Sequence, residues 1–596
     1  MNKRALAIGS GAVLLGAVAF VASNQATPKP KPDPEPAFDW VTVVNNNDVM
    51  PGDALGRTFN SYNQPSINVD GMVVMRARSR GGQGGQGGGQ PTHGIYTRDM
   101  SSNDNPIVRI LDRTTAVPYP NNLGTTFVET PSFPRIDMDT DTIGTRGNHQ
   151  PVWNYVTGTD PDTGEDIETR VGTIGIYSNP FGYLVTGASK LGAVPEFSFY
   201  EVPGEPAGTF FEVFPGAPAV TDGDTLVFKG NFAVGGGSYT GVYYRALEDA
   251  PAGGESPSVL IASSSSTLIP GTSTVFGSTS PPSAAKGQVV FAGFDDEYNP
   301  SLGGVYLAPL EPSPELTAVV SIGGPVPDES AGASFNALGE GGAFDGRFVG
   351  FWGAWGSETR RVRLYCQTEG NRDRIDYCNR QLVCADTGET IGDPGSVCDD
   401  TSDPFFGERC YQERDVQVHQ GLFVHDSRTQ KTWTVAKTGE QFDEFLFWNY
   451  SGKVPCVGGG HSEEGGEDDG EPARWRSSAF VAVAGRGATF KAAFKARSGE
   501  VAAGGYSDPV DGIFLVKWPA TGQSSMATVV DTTMDGQSLD PEAPEGSIVA
   551  ELGIEREGLR GDLLVINAKM AAPAGEGDEE EEEEDDMAGI YLTTVK

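Results

Sequence analysis

Ala588-Gly589-Ile590-Tyr591-Leu592 reads as one short strand, and its core is a glycine followed by an aliphatic and an aromatic residue. The same core occurs at Gly94-Ile95-Tyr96, Gly175-Ile176-Tyr177, Gly241-Val242-Tyr243, Gly304-Val305-Tyr306, Gly421-Leu422-Phe423 and Gly512-Ile513-Phe514. Seven copies recurring every ~60 to 120 residues call for a repeat architecture before any other reading.

Each copy sits in a longer unit. Upstream comes a β-branched run such as Val73-Val74-Met75, Leu226-Val227-Phe228 or Val289-Val290-Phe291. Before that lies a short run, often after proline: Pro65-Ser66-Ile67, Pro131-Ser132-Phe133, Pro218-Ala219-Val220. After the glycine strand comes a fourth run, as in Ile107-Val108-Arg109-Ile110-Leu111 or Thr432-Trp433-Thr434-Val435. Four short strands per unit and seven units predict an all-β fold, a seven-bladed β-propeller with four-stranded blades. The last unit has no fourth strand after Tyr591. The missing strand has its counterpart at Phe38-Asp39-Trp40-Val41-Thr42-Val43-Val44, so an N-terminal strand is expected to complete the C-terminal blade and leave no open sheet edge. Deleting 38–44 or 588–596 is then expected to unfold the whole ring.

Composition agrees. The chain has 596 residues with Gly 80 and Pro 41, and no long helical pattern. Its net charge of −39 speaks against a nucleic-acid partner, because phosphate binding needs a basic footprint. The acidic runs 463–471 and 576–586 serve solubility, or capture Ca²⁺ as the sharper alternative; no other cofactor or metal is expected. Residues 1–23 combine Met1-Asn2-Lys3-Arg4, an apolar run over 5–22 and small residues at its end. That is a signal peptide, or an N-terminal membrane anchor if the run stays uncleaved. A stiff proline-rich linker follows at 24–37, and the propeller occupies 38–596.

Cys366, Cys378, Cys384, Cys398, Cys410 and Cys456 are even in number and lack zinc-site spacing, so disulfides are expected, with 15 connectivities open. Five of them fall in one cysteine-rich insertion, 357–415. Two bonds within it and one tying it to the ring through Cys456 is the expected arrangement, with Cys456 in the connection after blade 5.

The proline-serine strand, the Val-Val-Phe-x-Gly-like strand and the Gly-Ile-Tyr strand together resemble a family of secreted bacterial β-propeller repeat proteins of unassigned activity. The resemblance implies the propeller and a secreted, periplasmic or cell-surface location. It carries no catalytic residues across.

Blade geometry puts the loops between second and third strands on one face: 78–93, 148–173, 231–240, 294–303, 354–420, 497–511 and 569–588. The other face has tight turns such as Val69-Asp70-Gly71. Long loops on a rigid frame usually carry function, so the long-loop face is the expected site. The residue after the aromatic of the second strand is Arg76, Arg146, Lys229, Ala292, Trp352, Lys491 or Asn567 in successive blades. Two columns on come Arg78, Asn148, Asn231 and Lys569, with His149 beside Asn148. Arg76, Arg78, Arg146, His149, Lys229, Lys491 and Lys569 therefore either bridge neighbouring blades through carbonyls and acids or line a pocket for an anionic ligand such as a uronate or sulfated sugar.

Two functions follow. The first is a binding or scaffold module, monomeric, for a glycan or a surface protein. The second is a polysaccharide lyase, in which Arg146 neutralises a uronate carboxylate while His149, His93, Tyr96 or Tyr155 moves the α-proton. Asp137-Met138-Asp139-Thr140-Asp141 fails as an EF-hand, with Thr142 where glycine is required, and reads as a turn. The glycine-rich stretch 81–89 opens no helix and is no phosphate cradle.

Overall fold

The computed structural model describes residues 38–80, 91–330, 332–368, 371–384, 387–439, 441–456, 472–494, 510–518, 525–571 and 586–595. The expected signal or anchor, the proline linker, the glycine-rich stretch 81–89 and the acidic runs, Asp586 excepted, lie outside these residues. The described chain forms seven antiparallel sheets of four or five strands in sequence order, a seven-bladed β-propeller, and three two-stranded sheets besides.

Blade 1 sets the pattern. Met72–Ser79 pairs with His93–Asp99, which pairs with Ile107–Asp112. The first strand is split. Ser66–Ile67 pairs with the start of the second strand and Phe59–Tyr62 with its end. All blades but the third repeat the split. Blade 3 instead has Ala219–Thr221 and a single bridge from Val213 to Asn231. The predicted strand at Pro131-Ser132-Phe133 falls in the blade 2 break, between Phe127–Glu129 and Arg135–Ile136. Pro131 and Pro134 there each remove a ladder donor.

The inner segments Ser66–Ile67, Arg135–Ile136, Ala219–Thr221, Ser283–Ala285, Ala343–Phe344, Val481–Ala484 and Leu559–Arg560 touch one another in turn, and the last touches the first. The ring is closed as expected. Trp40–Asn45 pairs with Met587–Thr594, Val41 opposite Leu592. Asn45 Nδ2 and the Tyr591 hydroxyl both donate to the buried Asp540 carboxylate, at 3.0 and 3.1 Å, which pins the closing strand to blade 7.

The apolar runs are continuous because both faces of each sheet are covered by neighbouring blades. Val73 and Met75 pack toward blade 7, and Val74, one residue out of phase, packs toward blade 2. The glycine of each repeat also has a local reason. Side chains two apart share a strand face; in five blades the aromatic ring lies back over that glycine, and at Gly94 and Gly304 the fourth strand's backbone comes closest. A Cβ at Gly241 would collide with Tyr243, and one at Gly589 with Tyr591. The ring is then met edge-on by a phenylalanine in or just before the outer part of the blade's first strand: Phe59–Tyr96, Phe127–Tyr177, Phe211–Tyr243, Phe276–Tyr306, Phe335–Phe423 and Phe442–Phe514, with centroids 4.8 to 5.4 Å apart. Each pair adds about 1 kcal/mol beyond area burial. Blade 7 substitutes the Tyr591–Asp540 hydrogen bond.

The long-loop face differs from expectation in three places. The 231–240 segment is no loop: Thr225–Val234 and Gly237–Ala246 run to a tight turn at Gly235-Gly236. The 148–173 segment forms a hairpin, Trp153–Thr159 with Asp166–Val171. In blade 5 the central strands lengthen to Phe348–Tyr365 and Tyr411–Asp426, so the cysteine-rich insertion is an arm built on a continuing ladder. Cys366–Cys378 and Cys398–Cys410 close within it, and Cys384–Cys456 ties it outward, the expected division. Cys456, however, does not follow blade 5's fourth strand. It lies within the split first strand of blade 6, after the hairpin strand Phe447–Ser451, whose partner is Arg474–Ser478. Tyr450 and Trp475 of this hairpin share one apolar core with Val362, Leu364 and Cys366 of the arm. Arg474 reaches the blade 4 loop, pairing with Glu297 at 3.0 Å and covering the Tyr298 ring.

Candidate functional site

The predicted cations take up positions between and within blades. The strand pleat explains it: Arg76 has the same parity as Val74 and therefore faces blade 2. Its guanidinium donates to Asn63 Oδ1 at 2.6 Å and pairs with the buried Glu129 of blade 2 at 3.4 Å. Arg146, fully buried, donates to the Phe214 carbonyl of blade 3 at 3.0 Å. Arg78 donates to Ser61 at 2.7 Å. Lys491 pairs with Asp511 at 3.0 Å and covers the Phe447 ring, and Lys569 pairs with Asp586 at 3.0 Å. Lys229 is half-buried in blade 3. None of the seven lines the cavities described below.

The proposed proton-transfer groups are interior as well. His149 is buried, its Nε2 2.6 Å from the Tyr177 hydroxyl and its Nδ1 2.9 Å from the Gln150 carbonyl; burial lowers its pKa to about 4. His93 is lowered to about 3 by burial and by Arg76, Arg113 and Arg78 nearby. Burial raises the Tyr96 hydroxyl, which sits inside blade 1 against Phe59. Tyr155 lies in the blade 2 hairpin, partly packed on the apolar core between blades 1 and 2.

Open space lies on the opposite face. A cavity of about 410 Å³ sits on the axis, lined by the first-to-second-strand turns of six blades. It adjoins a cavity of about 520 Å³ between blades 5 and 6 and another of about 520 Å³ between blades 6 and 7. Arg486 lines all three, so they form one groove running from the axis across blade 6.

The turns divide by charge. In blades 1 to 3 they carry only acids: Asp70; Asp137, Asp139 and Asp141; Asp222 and Asp224. In blades 4 to 7 each carries a base beside a glycine: Lys286-Gly287, Gly346-Arg347, Gly485-Arg486, Arg560-Gly561. Asp137 Oδ1 accepts from the Asp139 and Thr140 amides at 2.8 and 2.9 Å, the geometry of a turn.

Over blades 5 and 6 the groove is aromatic. Trp433 and Trp518 stack at 6.4 Å, and Phe348 meets Trp518 edge-on at 5.7 Å. Lys431 lies over the Trp433 ring at 5.6 Å. Arg347 covers Phe348 and is held by two bonds to Asp426, 2.9 and 2.6 Å, which keep the Asp426 carboxyl well below the usual range. Half-buried aromatic faces bordered by fixed cations suit a flat, polar-edged ligand. Among the described residues no group of three or more His, Cys, Asp or Glu is arranged to hold a metal ion.

Trp433 belongs to a predicted fourth strand, but its place beside Trp518 is a contact between blades that no local pattern encodes. The Gly-plus-base turns were readable signals of the mouth.

No family model matches the chain, and no curated protein is similar to it. Among solved structures it resembles an oligogalacturonate lyase in complex with manganese, at 10% identity over 94% of this chain and 98% of that one, with a TM-score of 0.33. A Trypanosoma rangeli sialidase in complex with a difluoro-KDN compound is similar at 11% identity over 94% and 96%, TM-score 0.28. A Hadza microbial sialidase is similar at 12% identity over 52% and 55%, TM-score 0.24. At these TM-scores the likenesses carry no weight; the fold rests on the seven closed sheets.

Proposed function

We propose that this propeller is an extracytoplasmic binding module that holds a glycan in the groove on its tight-turn face. The carrying observation is the stacked Trp433–Trp518 pair, half-buried on the groove and backed by the buried Phe348. Sugar rings present C–H bonds on their faces, and these pack on the electron-rich face of an aromatic ring. Their hydroxyl rims then meet Lys431, Thr434 and Asp328 along the cavity wall. Three disulfides support an oxidising compartment. The interior position of His149 and His93 weighs against acid–base chemistry at the predicted residues.

The test is titration of the full chain with a panel of neutral and acidic oligosaccharides, followed by tryptophan fluorescence. Binding is expected to change the emission, and Trp433→Ala is expected to weaken it by about 30-fold, the scale of an aromatic hot spot of ~2 kcal/mol. A panel with no emission change and no heat of binding would reject the glycan. A gain in ultraviolet absorbance on uronate polysaccharides would instead show lyase activity.

A further inference from the structure

The axial end of the groove has a chemistry of its own. Lys286, Arg347, Arg428, Arg486 and Arg560 line it, against Asp139 and Asp345. In a chain with 42 basic and 81 acidic residues an exposed base ordinarily meets an acid. Yet Lys286, Arg428 and Arg486, all exposed, have no ion pair among the described residues. Asp345 makes no ion pair with them among the described residues. Its Oδ1 accepts the Arg347 and Phe348 amides at 2.9 and 2.7 Å, and its Oδ2 accepts the Gly485 amide at 2.7 Å. The carboxylate is spent on joining the blade 5 and blade 6 turns, which fixes where Arg347 and Arg486 stand.

Arg560 is the floor. It is 2% exposed, and its Nε finds no acceptor among the described residues. Its nearest acid, Glu557, is 3.8 Å away and also keeps one carboxylate oxygen, Oε2, without a partner. A buried, under-satisfied guanidinium below a mouth of exposed bases is costly to the fold unless something else uses it.

Lys286 adds an independent sign. It occupies the first position of a two-residue turn between Ala285 and Gln288, with φ of 52°. Such turns favour asparagine, aspartate or glycine there. Lysine is a poor choice for the backbone, and its stem crosses onto Gly346 of blade 5, bringing the ammonium to the mouth.

We propose that this axial mouth is an oxyanion pocket which takes the carboxylate or sulfate of the glycan bound in the adjoining groove. The choice of glycan rests on the function proposed above; the oxyanion chemistry rests on the mouth itself. The bound chain then lies with its charged group on the axis and its neutral rings along Trp433 and Trp518. Guanidinium forks match both carboxylate and sulfate, so the two sources share one chemistry.

The experiment uses the full chain and the double variant Lys286→Asn with Arg486→Gln. Asparagine suits the turn, so folding is expected to persist, and melting temperature verifies it. Three ligands are titrated: an oligouronate, its carboxyl-reduced counterpart and a sulfated oligosaccharide, with inorganic sulfate as a fourth probe. The native chain is expected to bind the charged sugars about tenfold more tightly than the reduced one, the yield of one or two charge-assisted bonds. The double variant is expected to lose that preference, binding the charged sugars no more tightly than the reduced one, and to lose the rise in melting temperature that sulfate gives the native chain. Preference for the oligouronate alone, or for the sulfated sugar alone, identifies the source. Equal binding of charged sugars by both proteins overturns the pocket and leaves the glycan reading intact. Sulfate protection that depends on Lys286 and Arg486, without any sugar binding, rejects the glycan and keeps the pocket. Neither response overturns both.

Discussion

The two faces of this ring use their charges in opposite ways. On the long-loop face, cations are spent: Arg76 on Glu129, Lys491 on Asp511, Lys569 on Asp586. The same face carries the disulfide-bonded arm and the hairpin that reaches from blade 6 to blade 4. On the tight-turn face short turns border the axis, and Lys286, Arg428 and Arg486 line a cavity there with no ion pair among the described residues. Loop length marks where the chain has added structure. Unspent charge beside open aromatic surface marks where it has kept room for a partner.

The comparison can be broken by mutation. Arg146→Met removes the buried donor to the Phe214 carbonyl and is expected to cost about 3 kcal/mol of stability. Glycan affinity of the folded fraction should stay unchanged. Denaturant unfolding and titration together test this, and lost affinity without lost stability would return the site to the long-loop face.

Acid provides a second test of the long-loop side. The pKa of His149 falls from its ordinary 6.5 to about 4 because the folded chain buries it neutral. Its contribution is therefore present in full above pH 6.5 and lost as pH falls to about 4, on the order of 3 kcal/mol. His149→Gln should flatten the slope of stability against pH over that window.

Cys384→Ser with Cys456→Ser frees the arm from blade 6. About 2 kcal/mol is expected to be lost locally, seen as faster proteolysis within 366–410, with ring melting and groove binding unchanged. The smallest effect belongs to Arg486→Gln alone. Affinity for an oligouronate should fall by several-fold, ~1 kcal/mol, with no change in melting temperature.

The ring was legible because its causes are local. A glycine whose Cβ would strike the ring two residues on or the neighbouring strand, and apolar runs covered on both sides, repeat in every blade and leave marks in the sequence. The closure was legible too, since the pattern at Trp40 to Val44 completes the blade begun at Ile548. The edge-on phenylalanines went unread because Phe59 and its equivalents sit in or beside short, irregular segments with variable spacing. The cations left two readings open, bridging or pocket, and pleat parity favours bridging for Arg76 and Arg146, which it sends into the next blade. The groove was hidden for a different reason. Trp433 and Trp518 lie in different blades, and the sequence holds no record of which side chains meet across that boundary. The split of acids and bases among the seven turns was present in the sequence all along. It becomes meaningful once the turns are known to ring one mouth.

Hydrogen–deuterium exchange of the full chain with and without a saturating acidic oligosaccharide tests the central claim most directly. Protection is expected at 345–348, 428–435, 484–487 and 515–518, with 76–79, 93–96 and 146–149 unchanged. Protection confined to the latter segments would contradict the account and place the site on the long-loop face.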